Sequence, residues 1–267
     1  MRILIAAAGA VLALVPGAAQ AEVAGDKAWI DVGGFWASID SDLRIDNQAL
    51  GIEGTRIDFE RHLGLDDSRA MPKVTGGIRI GSRFRVEADY FRLSRSGELV
   101  ILEALRIDDT VYPVNASVST NFRTDIYRLA VGYSLVRNDK AEFGVSAGVH
   151  QSRGKFNIAA SALGGTLLEE GRTKSFPLPN VGLYGNMHLF GPVSLQGSAD
   201  AFQMKYGNYK GSLIDAHVAV EARLIKNAGL GVGYRYAGYK LTADKSDWRG
   251  KLSYSYSGPM AYLELAF

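Results

Sequence analysis

Hydrophobic and polar residues alternate through most of this chain, most cleanly at its end. In Ala261-Tyr262-Leu263-Glu264-Leu265-Ala266-Phe267, the residues Ala261, Leu263, Leu265 and Phe267 point one way and the others point the opposite way. A period of two is a strand with one apolar face. Earlier segments repeat it. Phe84, Val86, Ala88 and Tyr90 oppose Arg85, Glu87 and Asp89, and Tyr127, Leu129, Val131, Tyr133 and Leu135 line one face of 121–136. Further strands are predicted at about 27–40, 71–80, from Phe143 to about 154, from about 176 to Leu189, from Val193, from Ile214 to Leu224, from Leu230, and from about Trp248 to Phe267. That makes ten antiparallel strands, with eight as the alternative count.

The connections predict two unlike rims. Gly81-Ser82, Arg137–Lys140, Gly191-Pro192 and Lys226–Gly229 are turn-like. Ser41–Arg69, Gly97–Thr120 and Lys155–Ser175 are long, and the connection at 207–211 is short. Within the first long segment Thr55–Glu60 alternates and predicts a strand extension. No repeat of 20–50 residues marks a propeller or solenoid.

One face of these strands is nearly free of charge. The opposite face carries Asp31, Arg79, Arg85, Glu87, Asp89, Arg128 and Glu142, then Asp200, Asp215, Glu221, Arg223, Arg235 and Glu264. Three charged residues on one face of a single strand, 85–89, need water or opposite charges. Phe84, Tyr133, Phe143 and Phe267 gather at the short-turn ends of the apolar face, while Tyr90 and Tyr127 lie farther along it. Two aromatic girdles bounding an apolar band is the pattern of a barrel with lipid outside and a polar interior. A mean hydropathy of −0.02 agrees, because such a barrel averages two opposite faces.

Composition narrows the partners. The formal net charge of +2 shows no basic excess for nucleic acid. The absence of cysteine excludes disulfides and thiolate metal sites. Met1-Arg2, the apolar run Ile3–Val15 and Ala19-Gln20-Ala21 read as a signal peptide, residues 1–21, cleaved after Ala21. Residues 22–267 are then one barrel domain.

On Ala19-Gln20-Ala21, the alternating strands and the terminal Phe267, the chain resembles the small outer-membrane β-barrel proteins of Gram-negative bacteria, of the porin-like and OmpA-like class. The resemblance implies an all-β, closed, antiparallel up-and-down transmembrane barrel with both mature termini in the periplasm. It implies contact with outer-membrane lipid or lipopolysaccharide, a monomer, no cofactor, and assembly machinery that reads Phe267. The stretch Ile57-Asp58-Phe59-Glu60 with Leu63-Gly64-Leu65-Asp66-Asp67 also looks like one found in this class, and it lends no function.

Asp215-Ala216-His217 is the sharpest candidate for chemistry. Asp215 and His217 share the inner face, near the outer end of their strand, and Glu87 and Asp89 lie where they could face them. This is similar to the omptin proteases, in which an Asp-His pair and an Asp pair activate water. The match departs at Glu87, where a second Asp is expected, and extends to no other segment. A lumen network with Arg85, Arg128, Arg223 and Arg235 is the structural reading of the same charges. His150 and His188 with Glu142 make a weak metal candidate. Asp58, Asp66 and Asp67 lack the spacing of a calcium loop. The function expected is a non-enzymatic outer-membrane barrel serving envelope structure, surface interaction or limited passage of small solutes. The alternatives are an omptin-like hydrolase and a secreted soluble barrel holding an apolar ligand.

Overall fold

The computed structural model describes residues 26–47, 54, 56–100, 105–107, 110–112, 117–162, 165–246 and 248–267. The expected signal peptide and its cleavage after Ala21 lie outside the described residues. Ten long strands form the wall: β1 (Ala28–Asn47), β3 (Ser68–Ile80), β4 (Phe84–Val100), β7 (Ser117–Arg137), β8 (Ala141–Ala162), β9 (Gly165–Phe190), β10 (Val193–Tyr206), β11 (Tyr209–Ile225), β12 (Ala228–Asp244) and β13 (Trp248–Ala266). Each pairs antiparallel with the next, and β13 returns to β1, so the sheet closes. The closing register sets Asp31 opposite Glu264 and Val32 opposite Leu263. At its edge Lys27 N and Ala28 N donate to Phe267 O, at 2.6 and 3.0 Å. Closure removes the unpaired edges that an open sheet would expose.

Three short elements sit at the long-loop rim. They are β2 (Arg56–Asp58), the helical turn α1 (Phe59–His62) and the small hairpin of β5 (Leu105–Ile107) and β6 (Thr110–Tyr112). At the other rim turns of two or three residues suffice, as at Gly191-Pro192. Gly207, at the tip of the β10–β11 hairpin, has φ of +55°, a conformation that costs a side-chain-bearing residue but not glycine.

The long connections are shorter than the sequence predicts. β8 and β9 stay paired through Ala162 and Gly165, so most of Lys155–Ser175 is hairpin rather than loop. β4 runs on to Val100 and β7 begins at Ser117, which trims Gly97–Thr120 from both sides, and β1 continues past Asp40 to Asn47. The reason is physical. Beyond the apolar belt neither face has to be apolar, so alternation fades while the backbone ladder continues. Only Arg56–Asp58 of the expected Thr55–Glu60 strand pairs with β1. Asp58 ends it by accepting from Arg61 N at 2.9 Å, an N-cap that turns Phe59–His62 into helix.

The two faces fall as the alternation predicts. Outward residues are apolar and exposed, such as Leu129 at 58% and Val232 at 61%. Inward residues such as Arg128, at 4%, are charged and buried. An unbroken apolar exterior far exceeds the patches that water-soluble monomers tolerate. Aromatic residues bound it, with Phe84, Tyr133, Phe143 and Phe190 at one edge and Trp36, Tyr127, Tyr234 and Tyr236 at the other, all exposed.

Candidate functional site: the lumen

The lumen divides into a sealed half and an open half. The sealed half adjoins the long-loop rim. Phe35 from β1, Phe91 from β4 and Tyr256 from β13 meet across the barrel, with ring centroids 5.6–5.9 Å apart. Tyr239, Tyr254, Leu93, Ile126 and Met71 complete this layer. Above it, Phe59, Leu63 and Leu65 of the segment that follows β2 are buried inward, and Phe59 meets Phe122 edge-on at 6.3 Å. A charged latch holds this lid. The fully buried Arg95 pairs with Glu60, donates to Ser41 Oγ at 2.8 Å and reaches Asp66 O at 3.3 Å. Ser41 in turn donates to Glu60 through N and Oγ.

Ionic layers lie below. Arg128 on β7 donates to Asp200 at 2.7 Å, Glu87 at 2.6 Å and Asp89 at 2.9 Å. Asp89 also accepts from Thr75 and pairs with Lys73 at 3.3 Å. On β11 and β12, Arg235 donates to Asp215 at 2.7 Å while its guanidinium stacks over Phe91. Nearer the short-turn rim Arg79 binds Glu142 through two nitrogens, and Arg223 bridges Asp26 and Glu264. Every cation here meets a carboxylate in good geometry, which is the condition under which buried charge is tolerated.

The space between these pairs is an open vestibule, with Trp29, Lys73, Glu87, His217, Glu221 and Glu264 among its lining. Inward glycines make room for rings there. A Cβ on Gly231 would stand 2.0 Å from the Tyr262 ring.

The four candidates for chemistry separate. Asp215 and His217 share a face of β11, yet Asp215 engages Arg235 and lies 3.6 Å from His150 Nε2. His217 Nδ1 is instead 3.2 Å from Ser198 Oγ. Both stand at mid-strand, eight and ten residues from the Gly207-Asn208 tip, rather than near the outer end. Glu87 and Asp89 are held by Arg128.

His150, His188 and Glu142 do not meet either. His150 contacts Asn180 and Asp215, Glu142 is taken by Arg79 and Ser134, and His188 is ten residues along β9 from Leu178, the register partner of His150. Asp58 caps α1 and Asp66 pairs with Arg69 at 3.1 Å. At the same rim the Arg44 side chain and the Gly54 N–H hold the partly buried Asp46 carboxyl below the usual carboxylate range.

Sequence reasoning missed the aromatic seal. Tyr254 and Tyr256 share the even parity of Tyr262 and Glu264, and carrying that parity back along β13 would have turned them inward.

No family model matches the sequence, and no curated relative matches it. Among solved structures, the outer membrane protease OmpT of Escherichia coli is similar in fold, with a TM-score of 0.57 at 15% identity, covering 91% of this chain and 97% of that one. The toluene transporter TodX of Pseudomonas putida matches with a TM-score of 0.37 at 9% identity over 91% of this chain and 90% of its own. Ail of Yersinia pestis matches with 0.31 at 10% over 88% and 99%. The chain has the fold of an outer-membrane β-barrel.

Proposed function

We propose that the protein is a non-enzymatic integral barrel of the outer membrane that anchors and presents its long-loop rim and carries no continuous solute path. The observation behind this reading is the closed lumen. A layer of interlocked rings from β1, β4, β12 and β13 crosses the barrel, and the Glu60–Arg95 latch holds a second closure over it. A ten-strand barrel is little wider than the eight-strand kind that side chains fill, and here they close its long-loop half. The membrane setting follows from the exposed apolar belt, its two aromatic edges and strands longer than the roughly 9–11 residues a bilayer needs. The carboxylates that a water-activating site would need are neutralised by Arg128 and Arg235, which weighs against the hydrolase reading. A soluble lipocalin-like role would require the apolar face inside.

Fractionation and planar-bilayer recording test this together. The expected result is heat-modifiable protein in the outer-membrane fraction and no stable single-channel steps after insertion. A reproducible open conductance from the wild-type chain would overturn the sealed reading, and recovery in the soluble periplasmic fraction would overturn the membrane one.

A further inference from the structure

We propose that the vestibule on the short-turn side of the lumen binds a small zwitterion, its carboxylate on the Arg85 guanidinium and its ammonium against Asp31 and Glu221. Arg85, on β4, differs from the arginines described above. It meets Glu87 at 3.4 Å but forms no hydrogen bond among the described residues, and the other oxygen of Glu87 is held by Arg128 at 2.6 Å. Its guanidinium instead lies 3.4 Å from the centre of the Tyr184 ring, and the centre of Trp29 is 5.9 Å away. Both rings lie on bare backbone. A Cβ on Gly144 would overlap the Tyr184 ring, and one on Gly77 would overlap the Trp29 ring. The Tyr184 hydroxyl is fixed against Ser134 Oγ at 2.9 Å. A stacked guanidinium keeps its in-plane N–H fork, the part that matches a carboxylate. Arg85 lines the vestibule, and there that fork is open to a ligand.

Strands β1, β11 and β13 carry the opposite need. Asp31 sits directly across from Glu264 in the β1–β13 ladder, and like charges so placed repel. Arg223 answers Glu264 and Asp26. Among the described residues no cation forms an ion pair with Asp31 or Glu221. Asp31 Oδ1 is buried without a hydrogen-bond partner. Glu221, also buried, accepts from two neutral groups, Gln196 at 2.8 Å and the Tyr262 hydroxyl at 3.3 Å. Carboxylates held this way call for a counter-charge.

One molecule meets both needs. Asp31 and Trp29 share a face of β1, two residues or about 6–7 Å apart, so a ligand a few bonds long reaches from Arg85 past Trp29 to Asp31. Carboxylates outnumber cations along the lining, so a simple anion would be repelled. A diamine would leave Arg85 idle. A metal ion does not fit, because among the described residues no set of His, Asp or Glu comes together to hold one. The aromatic layer closes the vestibule from above, so the ligand enters and leaves by the same mouth.

The test uses the full chain, folded in detergent, with Trp36 and Trp248 replaced by Phe so that Trp29 alone of the three tryptophans reports. γ-Aminobutyrate and ε-aminocaproate are titrated by calorimetry and by Trp29 fluorescence, against the dicarboxylates and diamines of matching length. At least one of the two amino acids should bind saturably, change the Trp29 emission, and bind about tenfold or more tighter than its matched controls. R85K keeps the charge and loses the fork, and D31N/E221Q removes the unpaired acids. Each should weaken binding about tenfold or more, while K205Q, far along β10, should not. Heat-modifiable migration reports whether each variant folds. If R85K does not fold, D31N/E221Q carries the comparison, since it removes charges that lack a cation. Absence of binding would overturn the site and mean that protons alone balance Asp31 and Glu221. Equal binding of the matched diamine or dicarboxylate would overturn the zwitterion. Binding that ignores both variants, or that leaves Trp29 unchanged, would overturn the placement in the vestibule.

Discussion

The Arg128 side chain reaches from β7 to Asp200 on β10, three strands away around the wall, and closes a hydrogen bond of 2.7 Å across the lumen. With Glu87 and Asp89 on the same guanidinium, one arginine neutralises carboxylates from two different strands, β4 and β10. It works as an internal strut.

Replacing Arg128 with Met should therefore destabilise the barrel more than its lost contacts suggest, because three carboxylates would remain in a low-dielectric interior. Breaking a buried pair costs about 3–5 kcal/mol, less where water enters from the vestibule. Urea unfolding in detergent measures it. A variant unfolding at the wild-type midpoint would show that water, not Arg128, solvates these carboxylates.

Val131→Lys and Leu263→Arg place a charge on the exposed belt. If lipid covers that belt, each should cost about 2–4 kcal/mol near the midplane and reduce assembled protein. Ser198→Lys, on the inner face, tests the opposite side and should leave assembly less affected. Normal yields of heat-modifiable protein from both belt variants would mean that the belt does not face lipid.

Glu60→Ala removes the partner of the fully buried Arg95. The lid should loosen locally while the wall stays closed, since the lid buries Phe59 of α1 and the following Leu63 and Leu65. Trypsin should then cut at Arg61 or Arg69 several-fold faster than in the wild type, with the heat-modifiable core unchanged. Equal cleavage rates would mean that the apolar contacts alone hold the lid.

Phe35→Ala with Tyr256→Ala takes two rings from the aromatic layer. Combined with Glu60→Ala, it should produce small, irregular conductance where the wild type has none. Each large-to-small change costs about 3–5 kcal/mol in a packed interior, so the triple variant needs its folded fraction measured first. A folded triple variant that stays silent would place the seal in the ionic layer around Arg128.

The alternation of side chains was enough to place the ten strands and to sort their residues onto two faces, and the positions of charges and aromatic rings then assigned the inner one. In β4, Phe84 to Tyr90 set one face against Arg85, Glu87 and Asp89 on the other, and period two carries that division along the strand. The rim asymmetry was legible for the same reason, from turn residues at Gly81 and Gly191.

The pairing inside was not legible. Sequence places Asp215 two residues from His217 on one face, but the barrel offers each a nearer partner on other strands, Arg235 for Asp215 and Ser198 for His217. Partner choice depends on register and curvature around the whole barrel, and no local period encodes either. The seal is tertiary in the same sense. Phe35, Phe91 and Tyr256 are far apart in the chain and ordinary in their own strands, and only closure of the sheet brings their rings into contact. The lid depends on closure too. Phe59, Leu63 and Leu65 looked like scattered apolar residues in a polar loop until the barrel supplied an open end for them to cover.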